Sequence, residues 1–356
     1  MLLITGGAGF IGSNFVVDWL SAREEPVIVV DALTYAGSVQ NLASVSTTDA
    51  LVFVKGDVCD RPLIASLCAK YRPRAILHFA AESHVDRSIH GPGEFVRTNV
   101  TGTFELLEAA RAYWKGINES ERSSFRFLHV STDEVYGALG DSDAPFTESS
   151  SYAPNSPYAA TKAASDHLVR AYFHTYGLPT LTTNCSNNFG PYQFPEKLIP
   201  ILILNALDER PLPVYGDGCN VRDWLFVADH CRGIATVLEH GVVGETYNIG
   251  ARCEKSNLEI AHTVCSMLDA LAPRSRGHYS DLITFVADRP GHDRRYAIDP
   301  SKMESNLNWR PLETFESALR KTIVWYLKNI PWANEVSDRE WTDLHYGAES
   351  KVVAAQ

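Results

Sequence analysis

Close to the start of the chain, Gly6-Gly7-Ala8-Gly9-Phe10-Ile11-Gly12 follows an apolar stretch at 2–5. It opens a segment in which Ile11, Phe15, Trp19 and Leu20 recur at helical spacing. Glycines at 6, 9 and 12 supply a tight strand-to-helix turn, close approach of a ligand to the backbone, and close packing of helix on strand. A helix starting in such a turn directs free N–H groups and the positive end of its dipole at one point, which favours a bound pyrophosphate. Asp31 ends the next predicted strand, 19 residues after Gly12. A carboxylate there accepts hydrogen bonds from a ribose 2′-hydroxyl and repels a 2′-phosphate, so the combination predicts NAD and not NADP. A Gly-rich turn beside a surface Asp is the plainer alternative; the placement of both features argues against it.

Apolar runs at 2–5, 27–30, 51–54, 75–79, 127–130 and 180–183 read as strands, separated by amphipathic stretches at 62–71, 100–114 and 157–176. Strands alternating with helices imply parallel pairing through right-handed crossovers. The expected fold is α/β, a doubly wound Rossmann-type parallel sheet with a smaller, mixed C-terminal substrate domain. The alternation stops near residue 185, where Pro-rich segments interrupt short helices. The expected division is 1–185 for the cofactor, with a return segment near 221–249 that includes the strand-like 223–227. Residues 186–220 and 250–329 form the substrate part, and 330–356 a weakly ordered tail.

The 356 residues carry 32 Lys and Arg against 43 Asp and Glu, a net charge of −11. Such an acidic balance argues against nucleic acid as a partner, because duplex binding relies on clustered cations. Seven cysteines without a Cys-x-x-Cys pair predict reduced thiols and neither a disulfide framework nor a metal site. No apolar run approaches the roughly 18 residues of a membrane span, so a cytoplasmic protein without membrane contact is expected.

Tyr158 and Lys162 lie four apart on the strongest predicted helix, which places phenol and ammonium on one face. A phenol titrates near about 10, so a base near neutrality needs about 4 kcal/mol of phenolate stabilisation. A cation about 5 Å away supplies roughly 3 kcal/mol at an effective dielectric of about 20, and a positive nicotinamide ring would add to it. Ser131-Thr132-Asp133-Glu134 follows the fifth strand, on the sheet edge where doubly wound proteins hold ligands. Ser131 and Glu134 also have capping-box spacing, although Gly137 and Gly140 follow too closely for a good helix. Two adjacent carboxyls beside one ligand have their pKa values pushed apart, which supplies an acid and a base.

The glycine turn, the Tyr158–Lys162 pair and the second domain resemble the extended short-chain dehydrogenase/reductase family. Within it, Ala80-Ala-Glu-Ser-His-Val-Asp-Arg-Ser88, Ser131-Thr-Asp-Glu-Val-Tyr-Gly137, Asn187-Asn-Phe-Gly-Pro-Tyr-Gln-Phe-Pro-Glu-Lys197, Arg222-Asp-Trp224 and Arg289-Pro-Gly-His-Asp293 resemble the nucleotide-sugar 4,6-dehydratases. The resemblance implies NAD as cofactor, dTDP-glucose as substrate and a homodimer joined through a four-helix contact. It implies catalytic roles for Thr132, Asp133, Glu134, Tyr158 and Lys162. It places Phe10, Ile11, Asp31, Ala32, Leu33, Thr34, Asp57, Val58, Ala80, Ala81, Thr98, Tyr158, Lys162 and Asn188 against NAD, beside Gly6, Gly9 and Gly12. Ser83, Thr132, Asn187, Lys197, Pro213, Tyr215, Arg222, Asn257 and His292 fall where the family holds its sugar nucleotide. Asp86 and Arg87 read as structural ion-pairing residues, and Arg252 and Cys253 depart from the pattern. UDP- or CDP-hexose dehydration is the alternative, with an epimerase, a decarboxylase or a non-catalytic NAD-responsive regulator behind it. Asp133 and Glu134 argue against simple epimerisation, which needs no acid and base to remove water.

Overall fold

The computed structural model describes residues 1–288 and 292–337. Its strands are β1 (Leu2–Thr5), β2 (Val27–Asp31), β3 (Leu51–Lys55), β4 (Ala75–His78), β5 (Arg126–Thr132) and β6 (Thr180–Cys185). Then come β7 (Asn187–Phe189), β8 (Leu212–Tyr215), β9 (Val221–Phe226), β10 (Thr246–Ile249), β11 (Glu254–Ser256), β12 (Ile283–Val286) and β13 (Arg295–Tyr296). Seven form one parallel sheet in the order β10-β6-β5-β4-β1-β2-β3.

Both faces of this sheet are buried, which is why its inner strands read as unbroken apolar runs. Leu2, Ile4, Val27 and Val29 face one cluster, together with Phe15, Trp19 and residues of the helix Val227–His240. Leu3, Ile28 and Val30 face the other, against Leu106, Leu107 and Val169 of the helices Gly102–Gly116 and Pro157–Tyr176. The chain order reverses between β1 and β4, so the loops leaving them diverge and open a crevice beyond the carboxyl ends of the strands. A third cluster, with Leu202, Trp224, Ile260, Leu319 and Tyr326, forms the separate core of the later residues.

Two expectations are corrected here. The strand around 223–227 does not return to the large sheet: β9 pairs with β7, β11 and β13, and the return begins at Val227 and ends in β10 beside β6. The apolar run suits either sheet, and partner strands of two or three residues carry no periodic signal. Nor is all of 330–356 a tail, since Ile330–Ser337 is a helix that buries Ala333 and Val336. Residues 338–356 and Arg289, Pro290 and Gly291 lie outside the described residues. Among the described residues, no helix is long and apolar enough to cross a membrane.

Candidate active site

The glycine turn is fixed from below. Gly6 has φ +72°, and a Cβ there would meet the Ala80 nitrogen at 2.5 Å. A Cβ on Gly12 would run into Gly6 O, whereas one on Gly9 would meet only Gly6 O at 3.3 Å. Gly6 and Gly12 are thus required by internal packing, and Gly9 leaves the backbone approachable. Asp31, at the end of β2, accepts from Ala8 N at 2.9 Å through Oδ2 and from Leu33 N at 2.8 Å through Oδ1. It therefore ties the turn to the 31–34 loop while each oxygen keeps a second lone pair for a ribose hydroxyl. A turn held open at Gly9, the N-terminus of the helix Phe10–Ala22 and a carboxylate at β2 fit a dinucleotide. Asp57 accepts from Cys59 N at 2.9 Å and pairs with Arg97 at 2.5 Å, and Val58 is buried beside it. Thr98 stands in the π-helical turn Val96–Thr101. Asn99 in that turn bonds both Glu82 N and Glu82 O, and Thr161 of the long helix, fixing the loop that carries Ala80 and Ala81.

The helix Pro157–Tyr176 starts where its sequence predicts, with Ser156 Oγ accepting from Ala159 N, and stops at Gly177 with φ +71°. It presents Tyr158 and Lys162, both buried, to the end of β5. Lys162 Nζ donates to Val130 O at 2.8 Å. Burial pushes the ammonium pKa down, and Asp166 one turn further along works to hold it up. Asp166 is itself held by Ser131 Oγ and Tyr152 OH, both at 2.9 Å, with His129 Nε2 at 3.1 Å from its other oxygen. Burial raises its carboxyl to about 6 against the pull of Lys162.

β5 runs on to Thr132, and a 3₁₀ turn, Asp133–Tyr136, follows. Ser131 does not cap this turn, because its hydroxyl is committed to Asp166; Thr132 Oγ1 accepts from Glu134 N at 3.3 Å instead. Asp133 is 2 % exposed, and among the described residues its Oδ2 has no hydrogen-bond partner. Burial, then the carboxylates of Glu134 and Asp223, raise its pKa well above the usual carboxyl range, despite Arg222. A carboxyl so placed gives up its proton less readily than an ordinary one, which suits a proton donor. For Tyr158 the electrostatics reverse the simple spacing argument: burial, then Glu134, raise the phenol well above its ordinary value, and a hydrogen bond with Thr132 only partly opposes them. The protein's own groups disfavour phenolate, so a base at Tyr158 needs the positive charge of the nicotinamide ring.

On the other side of the crevice, β7 carries Asn187, whose buried Oδ1 has no partner among the described residues, and Asn188, bonded to His230 at 2.9 Å. Lys197 Nζ reaches Ser83 O at 3.4 Å, which brings two residues of distant motifs together. Arg222 donates to Asp293 O at 2.9 Å and lies over the Tyr296 ring at 4.4 Å. Tyr215 and His292 have ring centroids 6.4 Å apart, and Pro213 shares β8 with Tyr215. Asn257 opens the helix Asn257–Leu271, its N–H bonded to Asn220 O. Arg252 has φ +53° and pairs with Asp299 at 2.7 Å, while Cys253 N bonds Asp223 Oδ1 at 2.7 Å, so their side chains and backbone fix a loop. Arg87 is ion-paired with Glu82 at 3.4 Å and lies over Tyr35 at 4.2 Å.

Sequence reasoning passed over Asp166, Asn99 and Glu196. Asp166 could have been found, since it repeats the four-residue step from Tyr158 to Lys162. Glu196, 3.4 Å from His84 and 3.5 Å from Lys197, has no local signal, because its burial depends on the loop containing His84.

The family described as GDP-mannose 4,6 dehydratase matches residues 3–322. A dTDP-glucose 4,6-dehydratase of Neisseria meningitidis serogroup B is 58% identical over 338 residues, covering 94% of this chain and 95% of its own. The dTDP-glucose 4,6-dehydratase 1 of Escherichia coli K12 is 52% identical, covering 97% and 98%. Among solved structures, the dTDP-glucose 4,6-dehydratase of Streptomyces venezuelae with NAD and TYD bound superposes with a TM-score of 0.86 at 47% identity. That alignment covers 94% of this chain and 99% of the other. With a family match over residues 3–322 joined to the glycine turn, the Tyr158–Lys162 helix and the Asp133–Glu134 turn, the chain belongs to the nucleotide-sugar 4,6-dehydratase family of the extended short-chain dehydrogenase/reductases.

Proposed function

We propose that the chain converts dTDP-glucose to dTDP-4-keto-6-deoxyglucose and water, as an NAD-dependent hydro-lyase. The observation that carries this reading is the pair of adjacent carboxyls at the end of β5, one of them buried with its pKa pushed up, beside Tyr158. The names and bound NAD of its relatives support it.

Gly6, Gly9, Gly12, Asp31 and the neighbouring loops would hold NAD, which when bound takes hydride from sugar C4 and gives it back at C6. Tyr158 removes the O4 proton, with Lys162 and Thr132 favouring phenolate. The resulting 4-ketone acidifies C5. Glu134 takes the C5 proton, and Asp133 protonates O6 as the C6–O6 bond breaks and water leaves. Glu134 then returns its proton to C5 while O4 stays the ketone oxygen, and the proton that Tyr158 took from O4 passes by way of solvent to Asp133, replacing the one given to O6. Proton donors and acceptors balance over the cycle, and the net change is loss of one water. Ser83 and Thr132 serve the hexose, Lys197 and Arg222 the diphosphate, and Tyr215 the base, for which its ring offers a stacking surface.

The same reading assigns 1–185 with a return at 227–249 to the cofactor, and 186–226 with 250–329 to the sugar nucleotide. Exposed Phe104 and Tyr176, on neighbouring helices, support a homodimer through that face, and seven free thiols suit the cytoplasm. Incubating the protein with dTDP-, UDP- and CDP-glucose and following the alkaline absorbance of the 4-keto product tests the assignment. Turnover of dTDP-glucose well ahead of the others is expected; equal rates would refute the thymidine preference, and no product from any would refute dehydration.

A further inference from the structure

The helix Ile330–Ser337 reaches the cofactor turn through one buried asparagine. Trp332 Nε1 donates to Asn41 Oδ1 at 2.8 Å, and Asn41, 1 % exposed, donates from Nδ2 to Ala8 O at 2.9 Å. Ser38 N donates to the same carbonyl at 3.0 Å. Ala8 is the residue of the glycine turn whose N–H is held by Asp31. A second route leads to the same place. Asn14 donates to Phe10 O at 2.8 Å and to Pro191 O at 2.9 Å, and the next residue, Tyr192, packs its ring against Trp325 and Trp332 at 4.7 and 5.8 Å. At the surface, Gln40 and Glu335 add a bond of 2.6 Å. Both polar ends of the Asn41 amide are thus engaged between helix and turn.

We infer that this C-terminal helix is a clamp on the glycine turn that slows cofactor release, with Trp332 and Asn41 as positioning residues; the inference rests on the NAD reading above. A turn whose carbonyls are already fixed loses less freedom when the pyrophosphate docks, and the gain from such preorganisation appears mainly as slower dissociation.

The test is the rate at which NAD leaves purified, NAD-loaded enzyme when the released nucleotide is trapped by an NAD-consuming coupling enzyme. Trp332→Phe keeps the ring packing and removes the N–H, so release should quicken about 2- to 10-fold, as expected for one hydrogen bond. Asn41→Ala should do at least as much. The double variant should release no faster than Asn41→Ala alone, because Trp332 acts through Asn41. The KM for dTDP-glucose of the loaded variants should stay at the wild-type value. A wild-type release rate in Trp332→Phe, or effects that multiply in the double variant, would overturn the clamp. Wild-type protein that neither carries nor takes up NAD would instead overturn the cofactor reading beneath it.

Discussion

The two sides of the crevice are built in opposite ways. On the cofactor side, backbone groups and small residues at the ends of β1, β2 and β4 bond to one another: Ala8 to Asp31, Gly6 against Ala80, Glu82 to Asn99. On the sugar side, buried polar atoms such as Asp133 Oδ2 and Asn187 Oδ1 have no partner among the described residues. A buried polar atom without a hydrogen bond costs about 1–3 kcal/mol. Polar atoms without a partner among the described residues thus stand where bonds are to be broken, whereas the turn that holds the cofactor is bonded to its neighbours. Damage to the first side should therefore empty the enzyme or loosen the fold, and damage to the second should slow turnover with NAD in place.

The largest separation is expected from Tyr158→Phe. Loss of the base should cut the rate of C4 oxidation by about 10² to 10⁴, while the purified variant keeps its NAD. Rapid mixing with substrate, followed by nicotinamide absorbance, measures the first, and nucleotide released on denaturation the second. Gly6→Ala is the mirror experiment. The strained φ and the contact with Ala80 should cost at least about 1–3 kcal/mol, seen as a lower urea midpoint and a lower NAD content. A Gly6→Ala protein with full NAD and normal stability would break the comparison.

Lys162→Ala belongs to both sides. Lys162 shares a helix face with Tyr158, four residues away, so on the proposed reading its loss disfavours phenolate and the acid limb of the pH–rate profile should move to higher pH. Retention of the cofactor should weaken as well. An unmoved acid limb would leave Lys162 with a holding role only.

The smallest effect concerns stability. Buried His78, His129 and His230 have pKa values pushed below the ordinary imidazole value by burial, His230 to about 3. The unfolded chain then binds more protons than the native one as pH falls through about 6.5, so their contribution is present above that pH and lost below it. Each can weaken the fold by up to about 1.4 kcal/mol per pH unit below that point. Asp166 works in the other direction between its unfolded value and about 6, where the folded state holds the extra proton. Asp133, also raised by burial, works the same way as Asp166, so the test is a difference: between pH 7 and 5.5 the urea midpoint of His230→Gln should shift less toward destabilisation than that of the wild type.

The same contrast governs what the sequence revealed. The large sheet was legible because strands of four to seven residues with both faces buried give long apolar runs, and the glycine turn sits at a fixed place after β1. Asp31, Tyr158 and Lys162 follow from spacing along single elements. The sugar side assembles from strands as short as β13, with two residues, and from loops that meet only in three dimensions, as Lys197 and Ser83 do. There the motifs marked residues without showing what they touch. The electrostatics of Tyr158 were the least legible of all, because burial and Glu134 depend on the whole crevice.

The central claim, that Asp133 is the acid and Glu134 the base of one elimination, is tested most directly by deuterium exchange at C5 of dTDP-glucose in D₂O. Asp133→Asn should still oxidise C4 and exchange C5, because Tyr158 and Glu134 remain, while water loss slows by about 10² to 10⁴. Glu134→Gln should oxidise C4 yet show little exchange. Equal exchange in the two variants, or wild-type dehydration by Asp133→Asn, would contradict the division of labour.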